Sequence, residues 1–167
     1  MADVWISNAS PIIALSQIRR FDLMEGLASE ILVPAAVMAE LTAGNNRDGA
    51  ADLVRTSKVT RVVPDIEVPD QVAVWQIDPG ESQVLAWALR ERGKAAILDD
   101  RAARRCATLL GIPVTGTVGI VALAKRRGLV PAAAPIFSAL EEGGLFLSRG
   151  LIRDLLADLG ESYLTPR

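Results

Sequence analysis

Histidine is absent from this 167-residue chain. Its absence excludes Ser–His–Asp triads, Cys–His pairs and His-ligated zinc, because each needs an imidazole to carry a proton or donate a nitrogen lone pair. Any chemistry must therefore run on carboxylates, lysine, hydroxyls or a metal held by oxygen. With one cysteine, Cys106, the chain forms no internal disulfide, and a reducing cytoplasm is the expected location. Long apolar runs are missing too, since charge or glycine interrupts each hydrophobic stretch, and no membrane span is expected. The start, Met1–Ala2–Asp3, has no basic cluster, and Asn8, Ser10 and Pro11 break the run that follows, unlike a signal peptide. Nor is there an excess of positive charge: the formal net charge is −2, which argues against a uniformly basic surface but leaves room for local basic clusters that bind nucleic acid.

What is present suits a packed domain. Hydrophobic residues form 50% of the chain and charged residues 23%, enough apolar surface at this length for a substantial core. Short apolar strands are expected at Val4–Ile6, Ile31–Val33, Val59–Val63, Ala95–Leu98 and Ile112–Val114. Helices are expected between and after them. Ser10 as N-cap with Pro11 at the first helical position opens one. Phe21–Leu27 forms a second, and Pro34 to about Leu41 a third, stopped by Gly44–Asn45–Asn46. Another covers 48–57. The proline-rich stretch 64–79 reads as loop, and Pro79–Gly80–Glu81 opens an amphipathic helix with Val84, Leu85, Ala88 and Leu89 at helical spacing. Asp99 or Asp100 caps a helix through Leu110, Thr115–Gly116–Thr117 leads into one ending at Arg127–Gly128, and two more cover 131–142 and 148–159. Strands alternating with helices predict an α/β/α sandwich around a central, mostly parallel sheet, in one domain over 1–167.

Ligands of such sheets settle outside the carboxyl ends of the strands. Asn8 follows the first strand, Glu40 lies on the helix after the second, Glu81 in the first turn of its helix, and Asp99–Asp100 after the fourth strand. Each has an ordinary structural explanation by itself: Glu81 meets a helix dipole, either aspartate is a good N-cap, Glu40 is solvated, and Asn8 is a turn residue. Together they place hard oxygen donors from distant parts of the chain on one edge, a set suited to Mg2+ or Mn2+ with retained waters.

Five segments in order carry a family resemblance: S-N-A-S-P-I-I-A-L (Ser7–Leu15), V-P-A-A-V-M-A-E-L (Val33–Leu41), D-P-G-E-S-Q-V-L-A-W-A (Asp78–Ala88), A-I-L-D-D-R-A-A-R-R (Ala96–Arg105) and V-T-G-T-V-G (Val114–Gly119). The chain resembles the PIN-domain family over residues 4 to about 128, and within it the VapC-like toxin subgroup, whose extra C-terminal helices the segment 129–167 resembles. The resemblance implies a PIN-like three-layer α/β/α fold and a metal-dependent endoribonuclease, the toxin of a toxin–antitoxin pair. It implies RNA as substrate, a cognate antitoxin as partner, a homodimer, and no membrane association. By position it puts Glu40, Glu81 and Asp100 in the acidic quartet that binds Mg2+ or Mn2+, with Asp99 as the alternative to Asp100. Ser10 then orders the pocket, and Thr115 and Thr117 contact water or substrate. Asn8 stands where the family usually has aspartate. An amide offers a neutral oxygen and accepts no proton, so Asn8 either still ligates or orients, or marks a PIN domain whose catalysis is weakened or lost and which binds RNA or protein.

Arg101, Arg104 and Arg105 follow the aspartates on one helix and are candidates for RNA phosphate contact, with solvated helix surface as the competing explanation. For Lys125–Arg126–Arg127 the structural explanation is preferred. Trp5, Trp75 and Trp87 are read as core or interface, and Cys106 as inert packing. A phosphatase or kinase using an aspartyl nucleophile is disfavoured, because no glycine-rich phosphate loop accompanies Asp99–Asp100.

Overall fold

The computed structural model describes residues 3–44 and 49–162. Five strands, β1 (Asp3–Ser7), β2 (Ala28–Pro34), β3 (Thr60–Val63), β4 (Ala95–Ile97) and β5 (Val114–Thr115), form one all-parallel sheet in the order β3-β2-β1-β4-β5. The central strands are the continuously apolar ones, as burial on both faces of a parallel sheet requires. Trp5 and Ile6 of β1, Ile31–Val33 of β2 and Ala96–Ile97 of β4 are all buried. Ten helices flank the sheet among the described residues, giving three α/β/α layers: α1 (Ala9–Gln17), α2 (Asp22–Leu27), α3 (Ala35–Ala43), α4 (Ala50–Thr56), the single turn α5 (Asp70–Ala73), α6 (Pro79–Arg90), α7 (Arg101–Leu109), α8 (Thr117–Arg126), α9 (Ala134–Glu142) and α10 (Arg149–Asp158). None is long and apolar enough to cross a membrane.

Several boundaries depart from the sequence reading for local reasons. Ser10 is not the N-cap of α1. The backbone N–H of Asn8 donates to Ile97 O at 3.0 Å, completing the β1–β4 ladder, and the helix begins at the next residue with Asn8 as its N-cap. Pro11 then falls inside the first turn, where its missing N–H would have had no partner anyway. β5 is shifted from 112–114 to 114–115. Ile112 N–H is used to close α7, donating to Ala107 O at 2.9 Å while Gly111 N–H donates to Thr108 O at 3.1 Å. This is a Schellman ending, and Gly111 supplies the left-handed φ of 69° that it needs.

The stretch 64–79 is irregular apart from α5, as composition suggested. Its backbone polar groups are met by α6: Gln83 accepts from Ile66 N–H at 2.9 Å and donates to Ile66 O at 2.8 Å, and Trp87 Nε1 donates to Pro64 O at 3.0 Å. Trp5 and Trp87 are both buried in the core. Asn45 and Asn46, expected to end α3, and residue 48, expected to begin α4, lie outside the described residues, as does the tail 163–167. At the C-terminal end Glu161 accepts from Ala133 N–H at 2.8 Å and Ala134 N–H at 2.9 Å, capping α9, and its Oε1 stands 3.6 Å from Lys125 Nζ.

Candidate active site

The sheet order reverses between β1 and β4: β1, β2 and β3 run outward on one side, β4 and β5 on the other. The two connections leaving that point diverge and open a crevice at the carboxyl ends of β1 and β4. Asn8 emerges from β1 at its floor, only 3% exposed, and its Oδ1 is buried with no hydrogen-bond partner. Such an orphan acceptor is unusual, because burying an unmet amide oxygen is costly.

α3 and α6 close in on Asn8 from the side, and Gly80 permits their approach. A Cβ at Gly80 would stand 3.0 Å from Asn8 Oδ1, 3.1 Å from Glu40 Oε2 and 3.4 Å from Val37 Cγ2. The amide oxygen of Asn8 and the carboxylate of Glu40 thus surround one small space that only glycine leaves open. The next residue, Glu81, is buried, with 8% exposed. Asp78 at the N-cap and Glu81 three positions on form a capping box, in which Asp78 N–H donates to Glu81 Oε2 at 3.2 Å.

The electrostatics tie four acids into one field. Burial pushes the Glu81 carboxyl up to about 7, and the charges of Asp100, Asp78 and Glu40 push the same way. Glu40, although in contact with solvent, is also raised, by burial first and by Asp78 second. Among the described residues no lysine or arginine forms an ion pair with Glu40, Asp78, Glu81 or Asp100. Among the described residues their mutual repulsion is therefore uncompensated.

The two neighbouring aspartates differ in role. Asp100 is the N-cap of α7, its Oδ2 accepting from Ala103 N–H at 2.8 Å, and its charge reaches Glu81. Asp99 turns away to the next connection. Its Oδ1 accepts from Thr117 N–H at 2.7 Å and its Oδ2 from the Thr117 hydroxyl at 2.6 Å, fastening the end of β4 to the start of α8. Gly116 makes room for this clasp, since a Cβ there would lie 2.6 Å from Asp99 Oδ1.

Asn8 and Glu40 thus meet beside Gly80, and Glu81 shares a field with Glu40, Asp78 and Asp100, while Asp99 and Thr117 are spent on each other. Thr115 ends β5 beside them, half-buried. Ser10 is exposed on the first turn of α1, and among the described residues no hydrogen bond ties it to the acids. Arg104 is drawn inward, its Nη1 donating to Leu98 O at 3.0 Å, whereas Arg101 and Arg105 stay exposed. Lys125 and Arg127 are engaged structurally, with Pro131 O and Glu161 for the first and Leu27 O and Asp3 for the second. Asp78 and Gly80 are the residues that sequence reasoning missed. The D-P-G-E run announced a helix start but not that the cap's charge and the glycine's missing side chain shape a pocket.

Among the described residues no three acidic or thiol groups stand close enough to form a ready-made coordination sphere. The donor set nevertheless fits a hard divalent cation that keeps part of its water shell and uses one or two carboxylates. The unmatched Asn8 Oδ1, the Glu40 oxygen beside it and the displaced titration of Glu81 are what such an ion would relieve. No curated protein matches the chain. The family DUF3368, described as a PIN domain, does match, over residues 4–161, from the first strand past the last helix, and the chain therefore belongs to the PIN-domain family.

Proposed function

We propose that the protein is a Mg2+- or Mn2+-dependent endoribonuclease of PIN type, the toxin of a toxin–antitoxin pair. The observation that carries this reading is the meeting of uncompensated acids with the orphaned Asn8 Oδ1 at the sheet's switch point. A divalent ion bound there supplies charge neutralisation for the RNA phosphodiester and a more acidic water. Glu40 and Asp100 are the carboxylates that would hold that ion. Asn8 orients without adding charge. Glu81, with a carboxyl near 7, exchanges a proton close to neutrality, which suits a group that must be ionised to bind and can take up a proton afterwards. Arg101 and Arg105, exposed one helical turn apart, hold backbone phosphates without reading sequence.

The same chemistry suggests its inhibitor. An antitoxin presenting an arginine to Glu40, Glu81 or Asp100 would provide the missing positive charge and displace the cation. The protein is expected to act in the cytoplasm, as a homodimer, with the core 1–128 and the C-terminal helices 129–167 working as one PIN-like unit. A second reading rests on Asn8: without the usual aspartate the pocket has one charge fewer, and the domain would bind RNA or protein without cutting it.

Cleavage of a mixed RNA substrate with Mn2+ separates the two. Under the nuclease reading the wild type cuts and Glu81→Gln abolishes cutting, or Asn8→Asp restores it and Asn8→Asp with Glu81→Gln removes it again. Cleavage that survives Glu81→Gln in both backgrounds would exclude this pocket as its source. RNA binding with no cleavage by either the wild type or Asn8→Asp would establish the binding module.

A further inference from the structure

We propose that the cleft between the start of α8 and the segment joining α9 to α10 is a base-stacking subsite, in which Phe146 holds one unpaired nucleobase of the RNA beside the acidic crevice. This rests on the reading of the protein as an RNA-processing PIN domain and names a contact that the acids do not provide.

The cleft has a volume of about 430 Å³ and shares its wall with the candidate site through Asp99, the residue before Asp100. Its two sides differ in character. Arg104, Thr115 and Gly116 make one polar side, and Leu145, Phe146 and Leu151 make an apolar one. Phe146 is 93% exposed, the most exposed of the large apolar side chains among the described residues. It is held there by its neighbours. Leu147 is buried, and Ser148 caps α10 with its hydroxyl accepting from Leu151 N–H at 3.5 Å, so the chain on one side of the ring is anchored. An anchored aromatic ring left in water is poorly explained by folding, which would bury it.

Its surroundings select the occupant. A flat aromatic face, an adjoining arginine and exposed arginines on the same helix form the combination that single-stranded nucleic acid uses, with stacking for the base and cations for the backbone. Arg104 keeps its guanidinium at the cleft wall through its bond to Leu98 O, while Arg101 and Arg105 are exposed on the same helix. Asp99 is held against the cleft wall by Thr117, which donates to both of its oxygens, and the guanidinium of Arg104 lines the same cleft. The cleft also carries Arg104, Asp99 and Thr115 among its apolar lining, polar groups that suit a base with hydrogen-bonding edges better than an apolar helix.

The test measures binding of a fluorescent hexaribonucleotide to the full chain in EDTA, where no cleavage occurs, using wild type, Phe146→Ala, Phe146→Leu and Phe146→Trp. A parallel series of RNAs carries an abasic nucleotide at each position in turn. Phe146→Ala should weaken binding on the order of tenfold, Phe146→Leu should not rescue it, and Phe146→Trp should. One abasic position should weaken wild-type binding by a similar factor and have no further effect in Phe146→Ala, the non-additivity expected of a direct contact. Unchanged melting of Phe146→Ala will show that folding is intact. Wild-type affinity in Phe146→Ala, full rescue by leucine, or abasic losses that simply multiply with the mutation would each overturn the subsite. Loss of self-association with RNA binding unchanged would assign the ring to a second copy of the chain instead. The nuclease reading stands or falls separately, on whether Glu81→Gln removes cleavage.

Discussion

Glu81 offers the sharpest quantitative test, because its burial and its acidic neighbours act in one direction. Its carboxyl is raised from 4.5 to about 7 in the folded chain without metal. Below pH 4.5 the group is protonated in both the folded and unfolded states, and folding is not penalised. Between 4.5 and 7 the unfolded chain ionises while the folded one stays neutral, so the native state binds the extra proton and stability falls as pH rises. Above 7 the full penalty is present, on the order of 3 kcal/mol for a displacement of this size. Glu81→Gln keeps an acceptor for Asp78 N–H but never ionises. Its stability should lie within about 1 kcal/mol of the wild type near pH 5 and exceed it by roughly 3 kcal/mol at pH 8.5, a melting difference of about 6–12 °C for a chain of this length. The measurement is thermal or urea unfolding in EDTA from pH 5 to 8.5. Mn2+ at 100 times its dissociation constant should then return about 2.7 kcal/mol to the wild type and little to the variant. A gap between the two proteins that stays constant across pH would mean that Glu81 titrates as an ordinary surface carboxyl, and the electrostatic account of the pocket would fail.

Binding of Mn2+ to the wild type should weaken as pH falls through about 7, where Glu81 takes up its proton, while Glu81→Gln should bind weakly with no such pH dependence; calorimetric titration at pH 6 and pH 8 decides it. Gly80→Ala places a Cβ against Asn8 Oδ1 and Glu40 Oε2, so it should change stability by no more than about 1 kcal/mol yet lower Mn2+ affinity. Unaltered affinity would show that the space beside Gly80 is not where the cation sits. Asp99→Ala leaves the buried Thr117 N–H and hydroxyl unmet and should cost about 2–3 kcal/mol by urea unfolding, with Mn2+ affinity kept. Asp100→Asn should do the reverse, and equal behaviour of the two would contradict their division of labour.

Much of the architecture was legible because the chain states it locally. The short apolar runs around Trp5, Leu32 and Ala96 could only be buried strands between helices, and alternation of the two element types leads to a parallel sheet. The D-P-G-E start of α6 was equally plain, since proline after a capping aspartate and glutamate three residues on satisfy the free N–H groups of a first turn. Where local signals competed, long-range bonding settled the outcome. Ser10–Pro11 looked like a helix start, but the sheet claims Asn8 N–H and starts the helix two residues earlier. Ile112 looked like strand, but the end of α7 uses its N–H.

Composition by itself removed the histidine-based chemistries and left oxygen donors as the means of any catalysis, because an element or a proton carrier that is absent cannot be supplied by folding. It could not say which acids act together. That Asp100 shares a field with Glu81 while Asp99 clasps Thr117, that Asp78 adds its charge, and that Gly80 opens a space between Asn8 and Glu40 are consequences of strand order. Interactions between charges depend on distance and on the water excluded between them, and residues as far apart in the chain as Asn8, Glu40, Glu81 and Asp100 acquire both only when β1 and β4 pair and the helices close over them.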